Sequence, residues 1–374
     1  VTNTSNHPNA GLELAKEYHA RRFFGSLDSI RAVAIVGVVW HHTSKPIGGI
    51  PITERGYLGV DLFFVLSGFL IVTLLLREKD RDETINLRSF YTRRALRIFP
   101  LFYITLGGLW VVSNFFTGES IAAFRDEWFI HATYTSNLFE TSSLLAISWS
   151  LSTEEQFYLI WPPIQRFFSS LALPFLGLVI GISQLVNFGV LFNGRRTAGW
   201  ELGDVTLTPI CLGVFAAYIL HYRFQLASFF LSPRWMAPAL GAATIYVANL
   251  PSDISGIVGV HRLVLHLMMT LLIASVAIRE DNGLAPILRF RPLARLGAVS
   301  YGIYLFHVFV MAAVNMALPW WAEWEQSFFG FGAVFIITVA VAEVSYNYFE
   351  KPILEQKARF AAKPRPLSST REQV

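Results

Sequence analysis

The sequence predicts an all-α fold: a polytopic membrane protein of about ten transmembrane helices with its N- and C-termini cytoplasmic. Three observations carry that prediction. The chain is 53% hydrophobic and 15% charged with a mean hydropathy of +0.47, well on the apolar side of a soluble domain. Apolar runs of about 17 to 25 residues, the length that crosses a bilayer, recur along it. The cations gather in alternate connecting segments, as the positive-inside rule requires.

In order, the spans are expected near 30–44, 57–76, 98–116, 144–163, 171–192, 205–221, 235–250, 259–278, 297–318 and 327–349. The first follows a polar lead with Lys16, Arg21 and Arg22, and with no small-residue cleavage site it reads as an uncleaved span. The fourth is the least regular, because Ser148, Ser150, Ser152, Thr153, Glu154 and Glu155 fall near its start. With the N-terminus in the cytoplasm, all but six of the 30 lysines and arginines fall inside. Those six are Lys45, Arg55, Arg125, Arg195, Arg196 and Arg262. Outer loops carry interfacial aromatics, as in Pro319 to Glu325, and the tail after Lys351 reads as a polar cytoplasmic end. No internal repeat and no second soluble domain is visible. The single cysteine, Cys211, excludes an internal disulfide and reads as a buried structural thiol.

Chemistry concentrates in a few polar residues within this apolar frame. Arg31 and His42 are eleven residues apart, three helical turns plus roughly 20°, so one face carries an anion-binding group and a possible base about 16 Å apart. His41 points off that face, and a histidine at a helix end is equally an interfacial polar residue with a hydrogen-bond partner. Asp61 is the sole acid of the second span's apolar stretch, and an ionisable residue in a span needs a named partner. His42 is the partner expected from its depth, with the carboxylate fixing the imidazole tautomer; a helix N-cap or a loop hydrogen bond is the structural alternative. Glu154 suits proton transfer, because a carboxylate beside hydrocarbon needs a partner or a raised pKa, while Glu155, one step round the helix, reads as solvated. Arg94 and Arg97, at i and i+3, could grip a phosphate with two forked donors, although such arginines are also the ordinary positive-inside signal. Arg93 fits that ordinary signal better. Ser300, Tyr304 and His307 recur on one face of the ninth span, His307 reading first as a packing residue, and Glu343 has no evident partner. Glycine-rich phosphate loops, HExxH and metal-spaced His/Cys clusters are absent, so nucleotide hydrolysis and metal catalysis have no support. Nucleic acid is not an expected partner, because the cations border spans and form no exposed stripe.

Six ordered segments, RAVAIVGVVWHH, GYLGVDLFFVLSGFLI, FYTRRALRIFP, SWSLSTEEQFYLIWP, LGAVSYGIYLFH and NYFEKPIL, together resemble the membrane-bound acyltransferase 3 family. The resemblance runs from about Leu27 to Leu354. It implies a polar segment at 1–26, a membrane acyltransferase domain at 27–354 and a cytoplasmic tail at 355–374. The implied activity is O-acyl transfer, most simply of acetyl, from acyl-CoA to a hydroxyl of a glycan, a lipid-linked sugar or a glycosylated natural product. The enzyme would be a multi-pass protein of the plasma (inner) membrane, with acyl-CoA as donor substrate and no metal. The family's basic residue, ten intervening residues and histidine match Arg31 and His42, which favours His42 over His41. Its RxxR matches Arg94 and Arg97, and its SxSLxxE matches Ser148 or Ser150 through Glu154. Some members carry a further C-terminal hydrolase-like domain that this sequence does not contain. The expected site is therefore His42, Asp61 and Glu154 as catalytic groups, with Arg31, Arg94 and Arg97 holding the donor. The competing expectation is a secondary transporter of a sugar or lipid-linked intermediate, which would also use intramembrane acids and histidines.

Overall fold

Each of the ten apolar stretches overlaps a helix in the computed structural model, which describes residues 8–21, 23–44, 47, 50–115, 118–188, 190–191, 207–251, 259–318 and 327–356. Arg195, Arg196, Lys45, the 319–325 aromatic loop and the tail beyond 356 lie outside the described residues. The helices are α1 (Pro8–Ala20), α2 (Gly25–Thr43), α3 (Leu58–Asp82), α4 (Leu87–Ser113), α5 (Glu119–Ala132), α6 (Trp149–Phe167), α7 (Ala172–Asn187) and α8 (Thr208–Tyr222). There follow α9 (Phe224–Leu231), α10 (Met236–Ala248), α11 (Gly259–Ile278), α12 (Ala285–Leu288), α13 (Arg291–Ala298), α14 (Ser300–Ala317), α15 (Phe328–Ser345) and α16 (Lys351–Glu355). No strand occurs among the described residues.

Five helical stretches, namely α3, α4, α11, α14 and Phe328–Glu355, are long and apolar enough to cross a membrane. The bent pairs α1/α2 (70°) and α8/α9 (109°) raise that number to seven if each is one span. The chain is a multi-pass membrane protein. α7 and α10 are apolar but shorter. Of the most apolar window of α3, 72% is buried, against 22% in α4 and in Phe328–Glu355, so α3 is central and the other two are peripheral. The exposed outer faces are themselves apolar, with Ile104, Val111, Ile182, Ile336 and Val344 turned outward, as a lipid surround demands.

Helices in lipid gain little from hydrophobic exclusion, so close approach must come from small residues. The crossing of α3 and α8 is of this kind. A Cβ on Gly68 would collide with the Ile210 carbonyl, and one on Gly213 with that of Val65, so each glycine receives the other helix's backbone. Cys211 is buried at this crossing, consistent with a packing thiol. Gly297 of α13 meets the Asp28 carbonyl of α2 in the same way, and Ser29 donates to the Leu288 carbonyl (2.7 Å) beside it.

The ends of the spans are pinned by polar side chains. Arg55, expected in an outer loop, is buried and donates to the carbonyls of Ala248 (2.6 Å), the last residue of α10, and Leu250 (2.9 Å), just beyond it. Tyr18 of α1 is 1% exposed, under the Arg77 guanidinium and against Phe24 and Phe224, so the N-terminal segment contributes a docked helix. Glu343 finds a partner in Arg295, which forks both carboxylate oxygens (2.8 and 2.5 Å) and lies over Tyr346. Arg93 bonds Ser89 and Glu78.

Candidate active site

A cavity of about 330 Å³ opens between α2, α3, α4, α6 and α14. Val60 to Leu74 of α3 run along it, a distance of about 21 Å at the rise of a helix. Its walls are mostly aromatic and aliphatic. Three arginines, Arg31, Arg94 and Arg97, line it together with Asp28 and Glu154. The helix phase that put Arg94 and Arg97 on one face of α4 is therefore realised, and α2 adds Arg31 from across the gap.

These cations differ in what holds them. Arg31 is paired with Asp28 one turn earlier on α2. The Arg94 guanidinium lies over the Tyr158 ring, 3.8 Å from its centroid, a cation–π contact. Among the described residues neither Arg94 nor Arg97 makes an ion pair or a hydrogen bond, and the Arg94 Nε is buried without an acceptor. Two guanidiniums facing a cavity with their donors unspent are able to offer forked N–H groups to an oxyanion.

The SxSLxxE segment divides its work. Ala146–Ser148 forms a 3₁₀ turn and α6 begins at Trp149, which is the irregularity visible in the sequence. Ser150 and Glu154, four apart, face the cavity: Ser150 bonds the Tyr304 hydroxyl (2.7 Å), and Glu154 accepts from Ser67 (2.6 Å). Ser148 faces away, into a buried network in which His131 Nδ1 lies 2.8 Å from its hydroxyl and Ser136 bridges it to Ser152. Glu127, near His131, also accepts the amide N–H groups of Ser142 (2.9 Å) and Ser143 (3.1 Å). Burial alone would raise the Glu127 carboxyl, but these donors outweigh it and hold it below the usual carboxylate range. Glu155 is not solvated as expected, since its Oε1 is buried without a hydrogen-bond partner. Trp161 is a core residue, 2% exposed.

His42 does not line the cavity. It lies at the far end of α2, with its ring 4.9 Å from that of His307, and it remains open to its surroundings while His307 is fully buried. Tyr304, three residues before His307, does line the cavity and donates to the Ile147 carbonyl (2.6 Å). The cavity thus reaches to within about one turn of α14 of the two imidazoles. His41 packs toward Tyr57, off this face.

Asp61 is where the structure corrects the sequence. It does not orient His42: its Oδ1 is 3.3 Å from Arg262 and its Oδ2 is 3.0 Å from His266, both on α11, with all three residues buried. The carboxylate had a stronger claimant than a neutral imidazole, because a guanidinium inside a span needs a counter-charge. Arg262, counted on the outer side at the start of the eighth span, is buried inside the fold. Its spacing of four from His266 in a mostly apolar helix was a signal that could have named the pair. Ser67 and Tyr158 were also missed: Tyr158 sits at helical spacing, four after Glu154, whereas Ser67, six after Asp61, is on another face and carried no such signal.

The profile of the acyltransferase domain family matches residues 24–345, which takes in Arg31, His42, Asp61, Arg94, Arg97, Glu154 and Tyr304. The chain belongs to that family. Among relatives of the acyltransferase family, the peptidoglycan O-acetyltransferase OatA of Listeria monocytogenes is 28% identical over 373 residues, covering 90% of this chain and 56% of its own length. The O-acetyltransferase OatA of Staphylococcus aureus is 26% identical over 374 residues, covering 90% of this chain and 58% of its own. The chain therefore spans less than three-fifths of the length of these two relatives. No solved structure matches it.

Proposed function

We propose that the chain is a membrane-bound O-acyltransferase that moves an acetyl group from acetyl-CoA to a hydroxyl of a carbohydrate acceptor, the glycan of peptidoglycan being the first candidate. The observation that carries this reading is the pair of unspent guanidiniums, Arg94 and Arg97, on a long cavity with apolar walls. A coenzyme A thioester has the matching form: phosphates for the cations and a thin arm for the channel. The names of the relatives favour acetyl and a cell-wall acceptor, and family membership favours transfer over transport.

In this reading ten spans cross the plasma membrane with both termini cytoplasmic, and residues 27–354 form the catalytic domain between the 1–26 and 355–374 segments. Arg31, Arg94 and Arg97 hold the donor at the cytoplasmic mouth, and the acyl thioester extends along α3 toward Tyr304. His42 removes the proton from the acceptor hydroxyl as its oxygen attacks the thioester carbonyl carbon. The C–S bond breaks, the sulfur leaves as thiolate and takes the proton from His42, giving the ester and free coenzyme A. Glu154, held by Ser67 within the cavity, is the second proton-carrying group. Asp61 acts through the fold.

Purified protein in proteoliposomes, given radiolabelled acetyl-CoA and soluble peptidoglycan fragments, is expected to place label on the fragments as a base-labile ester. Label that stays in acetyl-CoA overturns the assignment. Arg97→Ala is expected to raise the apparent KM for acetyl-CoA by about tenfold, the worth of one charge-assisted contact, with a smaller change in kcat. An unchanged KM removes Arg97 from donor binding.

A further inference from the structure

The one buried imidazole that touches His42 has no part in the reaction so far. His307 is 0% exposed on α14, where a phenylalanine would fill similar space with no polar atom to satisfy. Its Nδ1 is 2.6 Å from the Tyr304 carbonyl, and the Nδ1 of His42 is 2.9 Å from the Val38 carbonyl. A carbonyl oxygen only accepts, so both rings are assigned the tautomer with the proton on Nδ1. Two consequences follow. His42 is left with a lone pair on Nε2, the nitrogen that must act as base. His307 is left with a lone pair on its own Nε2, which lies 3.4 Å from the His42 Nδ1.

We propose that His307 is a positioning residue for His42, its Nε2 lone pair sharing the His42 Nδ1–H with the Val38 carbonyl. The proposal rests on His42 being the base. When His42 takes the acceptor proton on Nε2 it becomes an imidazolium, and its Nδ1–H becomes a stronger donor. The neutral His307 lone pair then shortens its contact and spreads that charge; the proton on Nε2 still leaves with the thiolate, so His307 neither gains nor loses one. The arrangement has the logic of a base oriented by a third group, with an imidazole where a carboxylate is more usual. The same helix joins this pair to the cavity, because Tyr304, whose carbonyl fixes His307, holds Ser150 through its hydroxyl.

The test compares His307→Gln with His307→Met in the full-length protein in proteoliposomes, with His42→Ala alongside. Glutamine offers a carbonyl oxygen at comparable reach, and methionine matches its length with no strong acceptor. H307M is expected to lose about tenfold or more in kcat with the KM for acetyl-CoA within about twofold, and H307Q to stay within about threefold of the parent kcat. A parental kcat in H307M, or equal loss in both variants at equal thermal midpoints, overturns the positioning role. If H307M fails to insert, His307→Leu against H307Q decides by the same criteria. If H42A itself turns over normally, it is the reading of His42 as base that falls, and the His307 proposal falls with it.

Discussion

His42→Ala is expected to leave the protein inserted and folded while lowering acetyl transfer by about 10² to 10⁴, the usual contribution of a positioned base. The fold should survive because the side chain is open to its surroundings and its hydrogen bonds are to its own helix and to His307. The loss should appear in kcat, with donor KM preserved, since Arg31 lies about 16 Å away along α2 and Arg94 and Arg97 stand on another helix, α4. Single-turnover transfer in proteoliposomes, with elution profile and thermal midpoint as controls, reads both quantities. Near-normal turnover in a well-folded H42A protein would remove the histidine from the chemistry. His41→Ala is the internal control: His41 packs on Tyr57 and carries no role in the proposed reaction.

Asp61→Ala should act in the opposite way, on the fold before the chemistry. It removes the carboxylate from a buried guanidinium and a buried imidazole, and breaking a buried pair from one side costs about 3 to 5 kcal/mol. The expected result is a strongly lowered thermal midpoint or failure to accumulate in the membrane. Asp61→Asn, which keeps a hydrogen-bond acceptor but not the charge, should fall between Ala and the parent. If D61A instead kept parental stability and lost only turnover, Asp61 would belong with the catalytic groups after all. The two variants therefore separate the acid's two readings, orienting His42 or locking α11 to α3.

What was legible in the sequence follows from periodicity. Arg94 with Arg97, and Ser300 with Tyr304, are same-face pairs on single helices, and both pairs line the cavity, while His307 on the face of Tyr304 lies beyond it against His42. Pairings between helices were not legible. Asp61 was matched to His42 on depth alone, yet which residues share a depth says nothing of which helix is the neighbour. Arg262 makes the point most sharply: counted only as an outer-side cation at the start of a span, it is the counter-charge of Asp61 in a buried ion pair.

The sequence by itself determined the membrane character, the helical segments and the family, because hydropathy, local spacing and ordered motifs are properties of the chain before it folds. Tertiary structure alone decided who meets whom. Gly68 and Gly213 let α3 and α8 touch, the α2–α13 contact at Gly297 holds the Arg31 end of the cavity, and α11 presents Arg262 and His266 to Asp61. The reason is that in a lipid solvent nearly any apolar helix face can pair with any other, so partner choice rests on a few small residues and buried charges whose complements lie far away in sequence.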